Sequence, residues 1–81
     1  MNYVFPSFPK IAVNENICTG KPHISGTRIS VSAVLSFLAG GMTEKQLLKE
    51  FPKLSKEDIH QALAFASAMM QEKIIPLKSA S

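Results

Sequence analysis

Tryptophan is absent, and cysteine occurs once, at Cys18, in a chain of 81 residues. A lone cysteine excludes the intrachain disulfide framework that staples many small secreted domains. His23 and His60 are too distant in sequence to complete a metal cluster with Cys18, so no metal or other cofactor is expected. Long apolar runs are missing too. None approaches the roughly 20 residues that a membrane-spanning helix requires. The opening Met1-Asn2-Tyr3-Val4-Phe5-Pro6 lacks a basic flank and a long apolar centre, so it does not read as a signal peptide. These absences point to a cytoplasmic protein without a membrane partner.

Chemistry is equally sparse. Cys18 could be paired with His23 or His60 as nucleophile and base, but nothing supplies an orienting third group or an oxyanion site. Gly20-Lys21 lacks the spacing of a phosphate-binding loop. The chain is therefore not read as an enzyme. Acidic residues number six against nine basic ones, giving a net charge of +3 and a pI near 9.3. The basic residues are scattered, which fits a mixed solvated surface and permits nucleic-acid binding without requiring it.

What the chain does have is apolar surface. Hydrophobic residues make up 46% and the mean hydropathy is +0.11. A domain of this size buries only about 60% of its unfolded surface, so part of the apolar area is expected to face a second copy in a homodimer. Residues 1–10 hold Tyr3, Phe5 and Phe8 around Pro6 and Pro9. Two prolines so close exclude a helix and predict an extended arm. Ile11-Ala12-Val13 reads as a short β segment and Asn14-Glu15-Asn16 as a turn. Beyond it, Gly20 and Gly26 punctuate a stretch in which Ile24, Ile29 and Val31 alternate with polar neighbours, as in a half-buried strand.

Three helices follow. Ser30 or Ser32 caps the first, whose stripe is Val31, Val34, Leu35 and Leu38 and whose stop is Gly40-Gly41. Thr43-Glu44-Lys45-Gln46 is a capping box opening the second, with Leu47, Leu48 and Phe51 inward and Pro52 ending it. Ser55-Lys56-Glu57-Asp58 opens the third, which is expected to run to about Lys73. Its inner face is assigned to Ile59, Ala62, Leu63, Ala66, Met69 and Met70, with Phe65 to one side. Residues 11–73 thus form a mainly α domain with a short N-terminal β element, compatible with a helix-turn-helix. Residues 74–81 form a C-terminal tail.

Several words of this sequence resemble the domain-of-unknown-function 433 family. They are Gly20-Lys21-Pro22-His23-Ile24-Ser25-Gly26-Thr27-Arg28-Ile29-Ser30-Val31, Leu38-Ala39-Gly40-Gly41-Met42-Thr43, Phe51-Pro52-Lys53-Leu54-Ser55-Lys56-Glu57-Asp58-Ile59 and the ending Glu72-Lys73-Ile74-Ile75-Pro76-Leu77. The resemblance spans roughly residues 8–78. His23 and Phe51 depart from it, standing where an aliphatic residue and a tyrosine are more usual. It implies a homeodomain-like helix-turn-helix and a VapB-type antitoxin, a component of a toxin–antitoxin module that neutralises a PIN-like ribonuclease toxin and binds operator DNA. A shared fold is an associational warrant only. The alternatives are a stand-alone dimeric DNA-binding transcriptional regulator, and an interaction domain without DNA binding.

Three residue sets follow from this reading. Lys53, Lys56, His60 and Gln61 occupy the turn and the exposed start of the third helix, where a helix-turn-helix meets the major groove. Glu57 and Asp58 interrupt them with negative charge, as a plain solvated helix start would. Phe65, Met69, Met70, Ile74, Ile75 and Leu77 are a candidate surface for the partner protein, more apolar than a short domain needs. Gly20, Lys21, Pro22, Gly26, Thr27 and Arg28 are expected to be structural. Arg28 would then pair with a carboxylate, Asp58 being the candidate, in the bidentate geometry that arginine favours.

Overall fold

The computed structural model describes residues 2–71. Strand β1 (Asn2–Phe5) and strand β2 (Phe8–Asn14) form an antiparallel hairpin, and strand β3 (His23–Ile24) pairs antiparallel with the other side of β2. Helices α1 (Val31–Ala39), α2 (Glu44–Glu50) and α3 (Lys56–Gln71) follow. The fold is three helices with a short antiparallel sheet at the N-terminus.

The expected arm is thus a strand. Pro6 and Ser7 make the turn, and Tyr3 lies in register with Val13. The boundary drawn between residues 10 and 11 falls inside β2. β2 is the central strand, paired on both sides.

β2 gives its middle residue to the core: Ile11 faces Ile24 across the ladder, and both are fully buried. Around this pair gather Val31 and Val34 of α1, Leu47 of α2, Leu54, and Ile59, Ala62 and Phe65 of α3. The rings of Phe5 and Phe8 meet the Phe65 ring edge to face, with centroids 4.9 and 5.4 Å away. The hairpin therefore sits on α3.

The helix ends follow local chemistry. Ser30 caps α1 by accepting from the Ala33 N–H at 3.0 Å. Thr43 and Gln46 form the reciprocal box at the start of α2. At α3 the Ser55 hydroxyl accepts from the Asp58 N–H at 3.1 Å, and the Asp58 carboxylate accepts from the Ser55 N–H at 2.9 Å. The Ser30 cap satisfies one backbone group and each of the two reciprocal boxes satisfies two.

The inner face of α3 is the expected one at Ile59 and Ala62 but not at Leu63, Met69 and Met70. Asp58, Ile59, Ala62 and Phe65 are buried, whereas Leu63, Met69 and Met70 are 43, 42 and 64% exposed. The stripe is rotated toward Phe65 because the β1–β2 hairpin supplies two rings on that side. A periodic pattern alone does not say from which side the covering layer comes.

Candidate partner-binding groove

The stretch between Gly20 and Arg28 prepares one wall of the site. Cys18, Thr19 and Gly20 all have positive φ, at 53, 54 and 82°. This left-handed turn is held by Gly20 N–H to Ile17 O at 3.1 Å and Lys21 N–H to Cys18 O at 3.0 Å. The Cys18 thiol donates to the Arg28 carbonyl at 3.2 Å. Pro22 then accepts from the Val31 N–H at 2.9 Å, which fastens the strap Lys21–Pro22 to the start of α1.

Gly26 and Thr27 close the other end of the strap. Thr27 N–H donates to Ile24 O at 3.0 Å across a four-residue turn, with Gly26 at its third position and φ of 82°. That is where a type II turn demands glycine. The buried Thr27 hydroxyl donates to Ile24 O at 2.8 Å and accepts from Ile29 N–H at 3.0 Å. A Thr27→Val substitution keeps the shape but takes its partner from the Ile29 N–H, while Ile24 O keeps the Thr27 N–H. It is expected to cost about 1–3 kcal/mol, read as a lower urea midpoint at unchanged m-value. A loss within a few tenths of a kcal/mol would show that the hydroxyl does not hold this turn.

Arg28 does not pair with Asp58. The Asp58 carboxylate is engaged with the Ser55 N–H, and Arg28 is exposed, with no ion pair among the described residues. The cap is only three residues away, so it takes the carboxylate first.

Between this strap, α1 and the end of α3 lies an open groove of about 330 Å³. Lys21 and Pro22 form its strap side, Val31, Ser32 and Leu35 its α1 wall, and Phe65, Ala66, Met69 and Met70 its α3 wall. Met69 falls on the stripe that continues Asp58, Ala62 and Phe65, yet it is 42% exposed. The core-facing stripe of α3 has outrun the elements that cover it. The partner candidates Met69 and Met70 are brought together here, over a floor that includes Phe65. Phe65 itself is a core residue, 4% exposed. Ile74, Ile75 and Leu77 lie outside the described residues. The α1 wall was missed in the sequence, where Val31 and Leu35 read as ordinary core. The signal was present in the breadth of the α1 stripe.

The candidates for DNA contact are divided. Lys53 and Lys56 are exposed. His60 is exposed but stands 3.8 Å from the Glu44 carboxylate of α2. Gln61 is half-buried, and its side-chain oxygen is buried without a partner. That oxygen is not presented to a base edge. Among the described residues no group of three or more His, Cys, Asp or Glu could hold a metal ion, and no helix is long and apolar enough to cross a membrane.

Comparison with known proteins agrees with the sequence words. No curated protein matches the chain. The crystal structure of a DUF433 member protein from Anabaena variabilis ATCC 29413 is similar, with 27% identity and a TM-score of 0.73. The match covers 78% of this chain and 62% of that one, so the present chain spans less than two thirds of the length of its relative. The family described as "Protein of unknown function (DUF433)" matches residues 11–66, from the central strand into the last helix. The chain belongs to the DUF433 family.

Proposed function

We propose that this protein is an antitoxin-like binding module of the cytoplasm, which acts by holding and neutralising a PIN-like ribonuclease rather than by catalysis. The observation that carries this reading is the open apolar groove between α1 and α3, with Met69 and Met70 on its rim. Exposed contiguous apolar surface marks interaction sites, and methionine adapts its flexible thioether to a partner surface. Ile74, Ile75 and Leu77, three to six positions after Gln71 in the sequence, add further apolar residues. Lys21 at the groove, with Lys73 and Lys78 later in the sequence, would steer encounter with a nuclease whose metal-holding centre is acidic.

The test is a search of the neighbouring reading frames for a PIN-like nuclease and complex formation with it, followed by calorimetry for the full chain and for a truncation ending at Glu72. The full chain is expected to bind. The truncation is expected to keep its circular dichroism spectrum and lose the nuclease. Equal binding by both would move the interface away from the C-terminal segment, to the aromatic residues of the N-terminal hairpin.

Operator binding by a homeodomain-like helix-turn-helix is a second reading, carried by the exposed Lys53 and Lys56 at the turn into α3. A stand-alone regulator would rely on these alone. Each lysine placed on a phosphate adds roughly one unit to the slope of log K against log salt. Lys53→Ala and Lys56→Ala are therefore expected to weaken DNA binding uniformly across sequences and to flatten that slope in a fluorescence-anisotropy titration. His60→Ala and Gln61→Ala are expected to leave base preference unchanged. A change of preference with either would show that α3 reads bases despite its inward Gln61.

A further inference from the structure

We infer that the loop Ser25–Arg28, with Lys10 of β2 beside it, is a contact for the phosphate backbone of double-stranded DNA. This rests on the reading that the protein binds DNA, and it places a backbone contact on the sheet rather than at the start of α3 alone.

Charge is divided unevenly along the chain. Residues 1–43 hold Lys10, Lys21 and Arg28 against one acid, Glu15, whereas residues 44–81 hold six basic residues and five acidic ones. Lys53 and Lys56 at the turn into α3 therefore have Glu50, Glu57 and Asp58 close in sequence, and the cationic excess lies mainly with the sheet. There, Ile11 pairs with Ile24, and the next step of the ladder sets Ser25 beside Lys10, whose carbonyl accepts from the Ser25 N–H at 2.8 Å. Lys10, Ser25, Gly26 and Arg28 are all exposed. Neither Lys10 nor Arg28 has an ion pair among the described residues. Lys21 is set apart from them, because its neighbour Gly20 lies against the Glu15 backbone.

The loop holds these groups in place before any ligand arrives. The buried Thr27 ties it to Ile24 and Ile29, and the Cys18 thiol holds the Arg28 carbonyl. A loop already fixed costs less to order on binding. The planar fork of arginine suits two phosphate oxygens. Gly26 has open space where a side chain would stand, so a phosphate can approach its backbone, and the exposed Ser25 hydroxyl is a further donor. Arginine, lysine, hydroxyls and backbone N–H groups are what a duplex backbone is held by. A single strand is held instead by aromatic faces that stack its bases, and here the rings of Phe5 and Phe8 are engaged with Phe65.

The experiment is fluorescence anisotropy of a labelled mixed-sequence DNA duplex, titrated with the full chain over a range of salt. Arg28→Ala and Lys10→Ala are each expected to keep the circular dichroism spectrum and to weaken binding about tenfold at low salt, the scale of one lost hydrogen bond to a charged group. Each should also lower the slope of log K against log salt by roughly one unit. Arg28→Lys keeps the charge but not the fork, and is expected to lose affinity at an unchanged slope. Lys49→Ala removes the same charge from exposed α2 and is expected to change neither. Should Arg28→Ala disturb the fold, Arg28→Gln replaces it. An equal loss with Lys49→Ala overturns the contact, since net charge alone would then explain it. Unchanged slopes in both Arg28→Ala and Lys10→Ala overturn it too, and if Lys53→Ala and Lys56→Ala still flatten the slope, the DNA reading stands on α3 alone. A wild-type chain that binds no duplex at low salt overturns both. If Arg28→Ala weakens the nuclease complex and leaves DNA binding intact, the loop belongs to a protein interface and the DNA contact falls.

Discussion

Phe65→Ala is expected to cost about 3–5 kcal/mol of stability, the range for truncating a buried phenylalanine. The ring is 4% exposed and lies between Phe5 and Phe8, both edge to face. Removing it deletes two aromatic pairs, opens a cavity beneath the hairpin and takes away part of the groove floor. At roughly 0.05–0.15 kcal/mol per residue, a domain of this length holds only about 4–12 kcal/mol in total. Most or all of the urea-unfolding transition should therefore shift to low denaturant. Leu63→Ala, two residues earlier on an exposed face, is expected to cost less than about 1 kcal/mol. The pair of variants measures the rotation of α3 directly. Equal losses, or a larger loss at Leu63, would mean that the helix packs by the stripe read from periodicity and not by the one through Phe65.

The second large effect concerns binding. A charge at the groove rim should abolish the partner contact without disturbing the core. Met69 and Met70 are 42 and 64% exposed, so glutamate at either position stays in water in the free domain. In a complex it would be buried against apolar walls whose one charged residue, among the described residues, is Lys21 at the strap. The double variant Met69→Glu with Met70→Glu is expected to lose at least about 100-fold in nuclease affinity, roughly 2.7 kcal/mol or more. Its melting temperature should stay within a few degrees of wild type. Titration calorimetry alongside thermal denaturation separates the two. Retained affinity in a folded double variant would exclude this groove as the nuclease site, whereas joint loss of folding and binding would show that the methionines belong to the core.

Which parts of this molecule were legible in the sequence follows from the range of the interactions involved. The caps at Ser30, Thr43 and Ser55 could be read because donor and acceptor lie within three residues of one another. Gly26 was legible as a turn for the same reason, its conformation being set by its own φ. The pairing of β1 with β2 was only half visible. Pro6 and Pro9 excluded a helix, but nothing local fixed the register that sets Phe5 against Phe8. The phase of α3 was not legible, because Leu63 and Phe65 are equally apolar and the choice between them depends on a hairpin fifty residues upstream. Asp58 shows the same principle in reverse. The long-range ion pair with Arg28 was expected, but the near cap on Ser55 prevails. The groove arises from the same long-range packing. It exists because α3 extends past the layer that covers it, a property of three elements together and of no single segment.

The central claim is neutralisation of a nuclease, and the direct measurement is RNA cleavage by a PIN-like nuclease sought among the neighbouring reading frames, during titration with the full wild-type chain. Cleavage is expected to fall in proportion to added chain and to vanish near stoichiometric addition, while the Met69→Glu, Met70→Glu double variant leaves it unchanged. Undiminished cleavage at a large excess of folded wild-type chain would contradict the account, and with salt-sensitive operator binding in the same preparation the protein would be a DNA-binding regulator instead.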